Sequence, residues 1–403
     1  MSFLSFFKKK KEEVSLLIDI GNGSIGAAFV VFGQGAPKII YNTRLPFAVV
    51  DNLDSAKLSQ GMETLLDETL DTMVKKGFEA DLWKRKSKKL SLVLVSFSSP
   101  WFIEKTKDIH ISEQKAFIIS KRFLDSILSK EEEIFRNELQ KDRLDDHDTF
   151  LAIEESIVHT KINGYTLEVS LGKKTNVFDL TLCLAVLPKN IADKVSNIIL
   201  KHTSIPRGRV KMHTFPLISF TVLYDIFPNV NDFIMMDITS EVTELTLVRD
   251  NTINQTVSFP SGKNFIIRQI AKAQSVPTEV AESTLHLYNM NKVNGSAVGN
   301  MQNLLADTEK EWAIYFEEAI SKLSAQTSLP SKIYVTADSD VAPIFMDFMK
   351  LSKTDSTGSF RRNVDIVHIN HQLLSHLYQS NTINNPDEFI GIISIFYGKI
   401  RSR

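Results

Sequence analysis

Val14-Ser15-Leu16-Leu17-Ile18-Asp19-Ile20 runs directly into Gly21-Asn22-Gly23-Ser24-Ile25-Gly26, and the reading of this stretch decides the fold. The first seven residues are an apolar β-type run closed by an aspartate. After the polar turn comes a second run, Ala27 to Phe32, and a third near Lys38 to Tyr41. Turns this short can join only antiparallel neighbours, so the segment is a three-stranded meander. The turn formally spells G-x-G-x-x-G, but a dinucleotide fold needs a helix next, whose N-terminus receives the pyrophosphate. Ala27 to Phe32 is too short and too β-like for that helix, and no acidic residue closes the run near Tyr41. The turn belongs to a hairpin.

The same order returns later in the chain. Phe233 to Ile238, Thr243 to Arg249 and Ile253 to Val257 form a second meander, in which Asp237 stands where Asp19 stands in the first. Helices and single strands then alternate in both halves. Met62, Leu65, Leu66, Leu70, Met73 and Val74 recur at helical spacing from Leu58 and predict one buried stripe. Strand Leu90 to Phe97, helix Ile191 to Leu200, strand Arg209 to Met212 and helix Pro216 to Tyr224 complete the first half. In the second, helices near Phe265 to Ala273, Thr278 to Asn289 and Met301 to Ala325 precede strand Lys332 to Thr336. Helix Val341 to Leu351 and strand Val364 to Ile369 follow, and Phe389 to Tyr397 reads as a last strand.

Composition bounds the function. In 403 residues, Lys plus Arg (47) balances Asp plus Glu (48), so no global field recruits nucleic acid and no nucleic-acid partner is expected. A single cysteine, Cys183, excludes an intrachain disulfide and a Cys-rich zinc site, which suits a reducing compartment. No apolar stretch approaches the ~18 residues that a membrane span needs. The N-terminus sets its apolar residues before its lysines, the wrong order for a secretory signal. A cytoplasmic location is the expectation.

Two copies of βββαβαβα resemble the actin/Hsp70/sugar-kinase superfamily. The resemblance implies a duplicated actin-like (ribonuclease H-like) α/β fold, with nucleotide held between paired aspartate turns. The insertion narrows it. Residues 98–188 read as strand Lys107 to Ile111, helix Glu113 to Glu138 and strands Leu151 to Tyr165, Thr166 to Val169 and Phe178 to Val186, with Ile162-Asn163-Gly164-Tyr165 at a turn. This order resembles the SHS2-type insertion subdomain shared by FtsA and PilM. The expected organisation is a tail at 1–13, a first half at 14–97 and 189–228 around the insertion, and a second half at 229–403 with a helical insertion about 259–330.

The resemblance assigns ATP and Mg to Asp19, Gly21, Gly23 and Ser24 in the first turn and to Asp237, Glu241 and Thr243 in the second. Gly262 and Glu282 join them before and on the following helices, and Asp19 and Asp237 are the implied metal residues. This sequence departs from the pattern where phosphate and adenosine would sit. Gly26 stands where lysine is usual, Thr239 where glycine is usual, Ser261-Gly262 for a glycine pair, and Ala337-Asp338-Ser339-Asp340 for a glycine-rich loop. The expectation is a degenerate nucleotide site in a protein that is not an enzyme. His368, His371 and His376 lack a helical H-E-x-x-H spacing and are read as surface and core histidines.

Outside the core, Met1-Ser2-Phe3-Leu4-Ser5-Phe6-Phe7 followed by Lys8 to Lys11 suits a weak, reversible contact with an anionic membrane. The basic run Lys84 to Lys89 reads as a solvated loop, and the acidic stretch Glu131 to Asp148 as the exposed end of a helix and its loop. PilM-like relatives begin with such a tail, whereas FtsA-like ones end in an amphipathic helix, for which Phe389 to Arg403 leaves no room. The reading is a peripheral scaffold at the inner face of the cell membrane, built for type IV pilus assembly. Its partner would be a cytoplasmic peptide of an inner-membrane protein, with self-association a further property. An FtsA-like division protein and an active actin-fold ATPase are the alternatives.

Overall fold

The computed structural model describes residues 12–49, 54–77, 89–141, 149–166, 170–290, 292, 295–325, 328–351, 364–380 and 387–402. The tail before Glu12 lies outside them, as do most of the basic run and the end of the acidic stretch.

β1 (Glu13–Ile20), β2 (Ser24–Phe32) and β3 (Lys38–Pro46) form the expected antiparallel meander. Helix α1 (Ser55–Thr72) crosses over to β4 (Leu90–Phe97), which lies parallel to β1. The chain then leaves for the insertion: β5 (Ile103–Ile118), α2 (Lys121–Lys141), β6 (Phe150–Ile162), β7 (Tyr165–Thr166) and β8 (Lys174–Pro188). It returns through α3 (Lys189–Thr203), β9 (Val210–Thr214) and α4 (Phe215–Ile226). The second half repeats the scheme with β10 (Phe233–Ile238), β11 (Thr243–Arg249), β12 (Thr252–Phe259), α5 (Lys263–Gln274), α6 (Thr278–Asn289) and α7 (Ser296–Ser324). β13 (Lys332–Ala337), α8 (Ala342–Leu351) and β14 (Asp365–His368) follow. The last described elements are α9 (His371–Leu374), β15 (Gln379–Ser380) and α10 (Glu388–Ser402).

The two main sheets share one strand order. The first runs β15-β3-β2-β1-β4-β9 and the second β12-β11-β10-β13-β14. Alternation along β1 sends Leu16, Ile18 and Ile20 towards α1 and α3. Leu17 points the other way, into a central layer where α4 and α10 lie between the sheets. The outer face of the second sheet packs Ile234, Met236 and Leu245 against α5 to α8, around the fully buried Trp312.

α10 corrects the reading of Phe389 to Tyr397 as a strand. A continuous apolar run cannot be told from a buried helix by periodicity, and this one is β-branched and short. Phe389, Ile390, Ile392, Ile393, Phe396 and Tyr397 are all buried because the helix is covered on nearly every side. Each contributes about 1.5–3 kcal/mol of burial, enough to override weak helix propensity. Asp387 caps the helix by accepting from the Ile390 amide at 3.0 Å. Because α10 packs beside α4 and over β1 and β2, and β15 pairs with β3, the chain's end returns to the first half. The expectation of one second half through residue 403 is corrected accordingly.

In the insertion the helix begins at Lys121, not Glu113. Glu113 to Ile118 continue β5, where Phe117 and Ile118 pair with Thr175 and Lys174 across an irregularity in the ladder. Pairing with β8 overrides the helix-favouring Glu-Gln-Lys-Ala, and Ser120, whose hydroxyl accepts from the Phe123 amide, marks the true start. Asn163 and Gly164, both at positive φ (50° and 83°), make the tight hairpin turn. The sheet, ordered β5-β8-β6-β7, is bound to both halves. Glu104 of β5 accepts from Thr214 at 3.2 Å and from Thr256 at 3.4 Å, and Glu154 of β6 meets His213 at 3.0 Å. Burial pushes the Glu104 carboxyl up to about 7. Among the described residues no helix is long and apolar enough to cross a membrane.

Candidate functional site

Both aspartate turns sit at the carboxyl ends of β1 and β10 and face each other. In the first sheet Asp19 is the register partner of Gly26, and Gly26 is the partner of Arg44. Side chains at paired positions project from the same face, so these three form one row across β1, β2 and β3. Two strand spacings, roughly 10 Å, separate the outer members. The Arg44 guanidinium spans that gap, passing over Gly26 to reach Asp19 at 2.8 Å. A Cβ on Gly26 would lie 2.5 Å from Arg44 Nη2. The glycine in this strand interior thus makes way for an arginine from the neighbouring strand.

Arg44 is held on every side. Nη1 donates to the Ser24 hydroxyl at 2.8 Å, while Nε and Nη2 donate to the two carboxylate oxygens of Asp387 at 2.8 and 3.0 Å. Burial pushes the Asp19 carboxyl up to about 6 against the pull of the guanidinium, so the pair is charged at neutral pH. The Asp387 and Asp19 charges outweigh burial and raise the Arg44 pKa above its ordinary value.

The second turn touches the first directly. Asn22 donates to the Thr239 hydroxyl at 2.6 Å and to the Ser99 carbonyl at 2.7 Å, and its Oδ1 accepts from the Glu241 amide at 2.8 Å. A Cβ on Gly23 would stand 1.7 Å from Ser240 Oγ, and one on Gly262 would stand 2.1 Å from the Thr239 carbonyl. The first amides of α5, from Lys263 and Asn264, donate to the carbonyls of Thr239 and Ser240 at 3.0 and 2.7 Å. A helix N-terminus is a ready anion site, and here the protein's own backbone fills it.

The remaining expected residues have partners of their own. Asp237 accepts from Thr336 at 2.7 Å, and burial pushes its carboxyl up to about 7. Glu241 accepts from Asn264 at 2.7 Å and pairs with Arg268. Thr243, fully buried, donates to the Ser261 carbonyl at 2.8 Å. Gly21 makes the tight hairpin contact with Ser24, and its carbonyl accepts from the Trp101 indole at 2.8 Å. Glu282 stays on α6, where its charge and those of Asp338 and Asp340 raise the Lys263 pKa against burial. Lys263 meets Asp340 at 3.1 Å and Asp338 at 3.5 Å, answering the negative loop that replaces the expected glycines. Among the described residues no three His, Cys, Asp or Glu side chains form a metal-holding group. His371 instead contacts the Tyr378 hydroxyl at 2.7 Å.

Metal-bound nucleotide does not fit the residues as they stand. A guanidinium already answers Asp19, the α5 amides are spent, and the turns touch where a methyl group would clash. The residues that bring this about, Asn22, Arg44, Ser240, Lys263 and Asp387, were not singled out from the sequence. The signal for Arg44 was a glycine in a strand interior with a long cation opposite it.

At the level of sequence, neither a protein-family model nor a curated protein matches the chain. Solved structures do match its fold. A chain of a PilM-PilN type IV pilus biogenesis complex is 13% identical, with 95% of this chain and 96% of that one covered at a TM-score of 0.58. The ethanolamine utilization protein EutJ from Carboxydothermus hydrogenoformans is 14% identical, with 96% and 90% covered at 0.43. A Bacteroides thetaiotaomicron protein with an actin-like ATPase fold and unknown function is 9% identical, with 93% and 99% covered at 0.41. Strand order, duplication and the full-length PilM match agree: the chain has a duplicated actin-like fold with a four-stranded insertion in its first half.

Proposed function

We propose that the protein is a non-enzymatic, actin-fold adaptor of the PilM kind, which receives a cytoplasmic peptide of a membrane protein during type IV pilus assembly. The Asp19–Arg44 ion pair carries the non-enzymatic part, since a cation built into the chain occupies the place a nucleotide-bound metal would need. The partner class is taken from the PilM chain, which was solved with PilN. The insertion, tied to both halves through Glu104 and Glu154, offers a surface whose orientation is fixed before any partner arrives. The N-terminal Phe3, Phe6, Phe7 and Lys8 to Lys11 belong to the proposal as a weak membrane tether.

Calorimetric titration with Mg-ATP tests the first part: no binding is expected at micromolar concentrations, and a dissociation constant in the low micromolar range or tighter overturns it. For the cellular role, deleting the gene should abolish surface pili and leave septation normal. Filamentous cells with intact pili would move the reading to an FtsA-like division role.

A further inference from the structure

Two distant parts of the chain, the first hairpin and the start of α10, converge on one guanidinium. Asp19 comes from the end of β1, Ser24 from the start of β2 and Asp387 from the N-cap of α10. Phe389, in the first turn of the helix, places its ring centroid 5.1 Å from Arg44 Cζ. The side chains of Asp19 and Asp387 are only 3% and 7% exposed, so water does little to separate their charges. Asp338 adds further negative charge around Asp19. One Asp19 oxygen, Oδ1, is buried without a hydrogen-bond partner among the described residues, as is the Ser96 hydroxyl on the register-paired position of β4. The pocket is thus acidic and polar, and the guanidinium is the cation inside it.

We infer that Arg44 is a built-in counter-ion that clasps α10 to the first turn, so that a charge of the chain itself fills the place where a bound cation would otherwise stand. The inference rests on the nucleotide-free reading above and adds what replaces the nucleotide. α10 is the element with most to lose. It lies between the sheets and is pinned at its N-cap by the bidentate Arg44–Asp387 contact. Asn22, bonded to Thr239 and Glu241, holds the opposite side of the seam by hydrogen bonds alone.

Asp387→Asn separates the clasp from the cap, because asparagine keeps an oxygen for the Ile390 amide while losing the charge that faces Arg44. Hydrogen–deuterium exchange of the full chain should then speed up in peptides from Glu388–Ser402 by roughly tenfold or more, with Ser55–Thr72 unchanged. Exchange in α10 that matches the unsubstituted protein overturns the clasp. In a second arm, Arg44→Met leaves Asp19 and Asp387 facing each other without a cation. Manganese chloride should raise the Tm of this variant and leave that of the unsubstituted protein alone. No manganese effect on Arg44→Met overturns the assignment of Arg44 as the cation of the site, and if the variant does not fold, the exchange result decides. Mg-ATP binding by the unsubstituted protein would defeat the nucleotide-free reading while leaving the Asp387→Asn outcome intact, so the two failures are distinguishable.

Discussion

The two halves place equivalent residues in equivalent rows and neutralise them by different means. In the first, Asp19, Gly26 and Arg44 pair across β1, β2 and β3; in the second, Asp237, Glu244 and Ser258 pair across β10, β11 and β12. The first row carries its own counter-charge. The second sets two carboxyl groups side by side with no cation paired to them among the described residues, and both are pushed up by burial, Asp237 to about 7 and Glu244 well above the ordinary range. A hydroxyl serves there instead, from Thr336 to Asp237 at 2.7 Å. A buried acid can be kept by a fixed cation or by a proton, and this chain uses one solution in each half. The first acid is pushed up to about 6 and the second to about 7, so the second titrates closer to neutrality.

Arg44→Met is the strongest way to break the comparison. Removing one partner of a buried ion cluster leaves uncompensated charge, so a loss of about 3–5 kcal/mol is expected in urea unfolding at neutral pH. The acid of the second row should respond with the opposite sign. Its folded-state pKa is raised, so the stabilisation it contributes is complete below the unfolded value of 3.8 and fades as pH rises through about 7. Asp237→Asn should flatten the stability profile between about pH 4 and 7 and stabilise at pH 8 by roughly 2–3 kcal/mol. A variant profile that still falls through pH 7 with the original slope would show that other groups, Glu104 among them, carry the dependence.

This contrast also shows what the sequence could and could not reveal. Both meanders, the crossover strands and the paired aspartates were legible because each rests on local periodicity and short turns. The strand reading of Phe389 to Tyr397 failed because burial on every side erases the periodicity that separates helix from strand. The repeat itself ended in a helix after β9, and carried through to the second half it points to α10. Within the site, Asp19 and Ser24 meet at Arg44 and Asp237 and Glu241 lie at the second turn, whereas Arg44 and Asp387 did not emerge from the sequence. They are 343 residues apart, and only the return of the chain end to the first sheet brings them together. Gly26 was noticed for the lysine it lacked, although its structural meaning lies in the side chain it leaves room for.

That meaning yields the smallest and most specific prediction. Gly26→Ala should cost about 1–2 kcal/mol, less than Arg44→Met, because the guanidinium can retreat from Asp19 while keeping Asp387. Backbone strain cannot be the cause. Gly26 lies outside the positive-φ glycines, and Glu244 occupies the corresponding position of the second half with a full side chain in an ordinary strand. The cost must then arise from one contact, the approach of Cβ to Arg44 Nη2 at 2.5 Å. A double-mutant cycle isolates it. In the Arg44→Met background the terminal nitrogens are gone, so adding Gly26→Ala should cost a few tenths of a kcal/mol at most, and the coupling energy should account for nearly the whole effect of the single change. If Gly26→Ala costs the same in both backgrounds, the glycine serves the hairpin itself, and the row of the first half is no more than a chance alignment of an arginine with an acid.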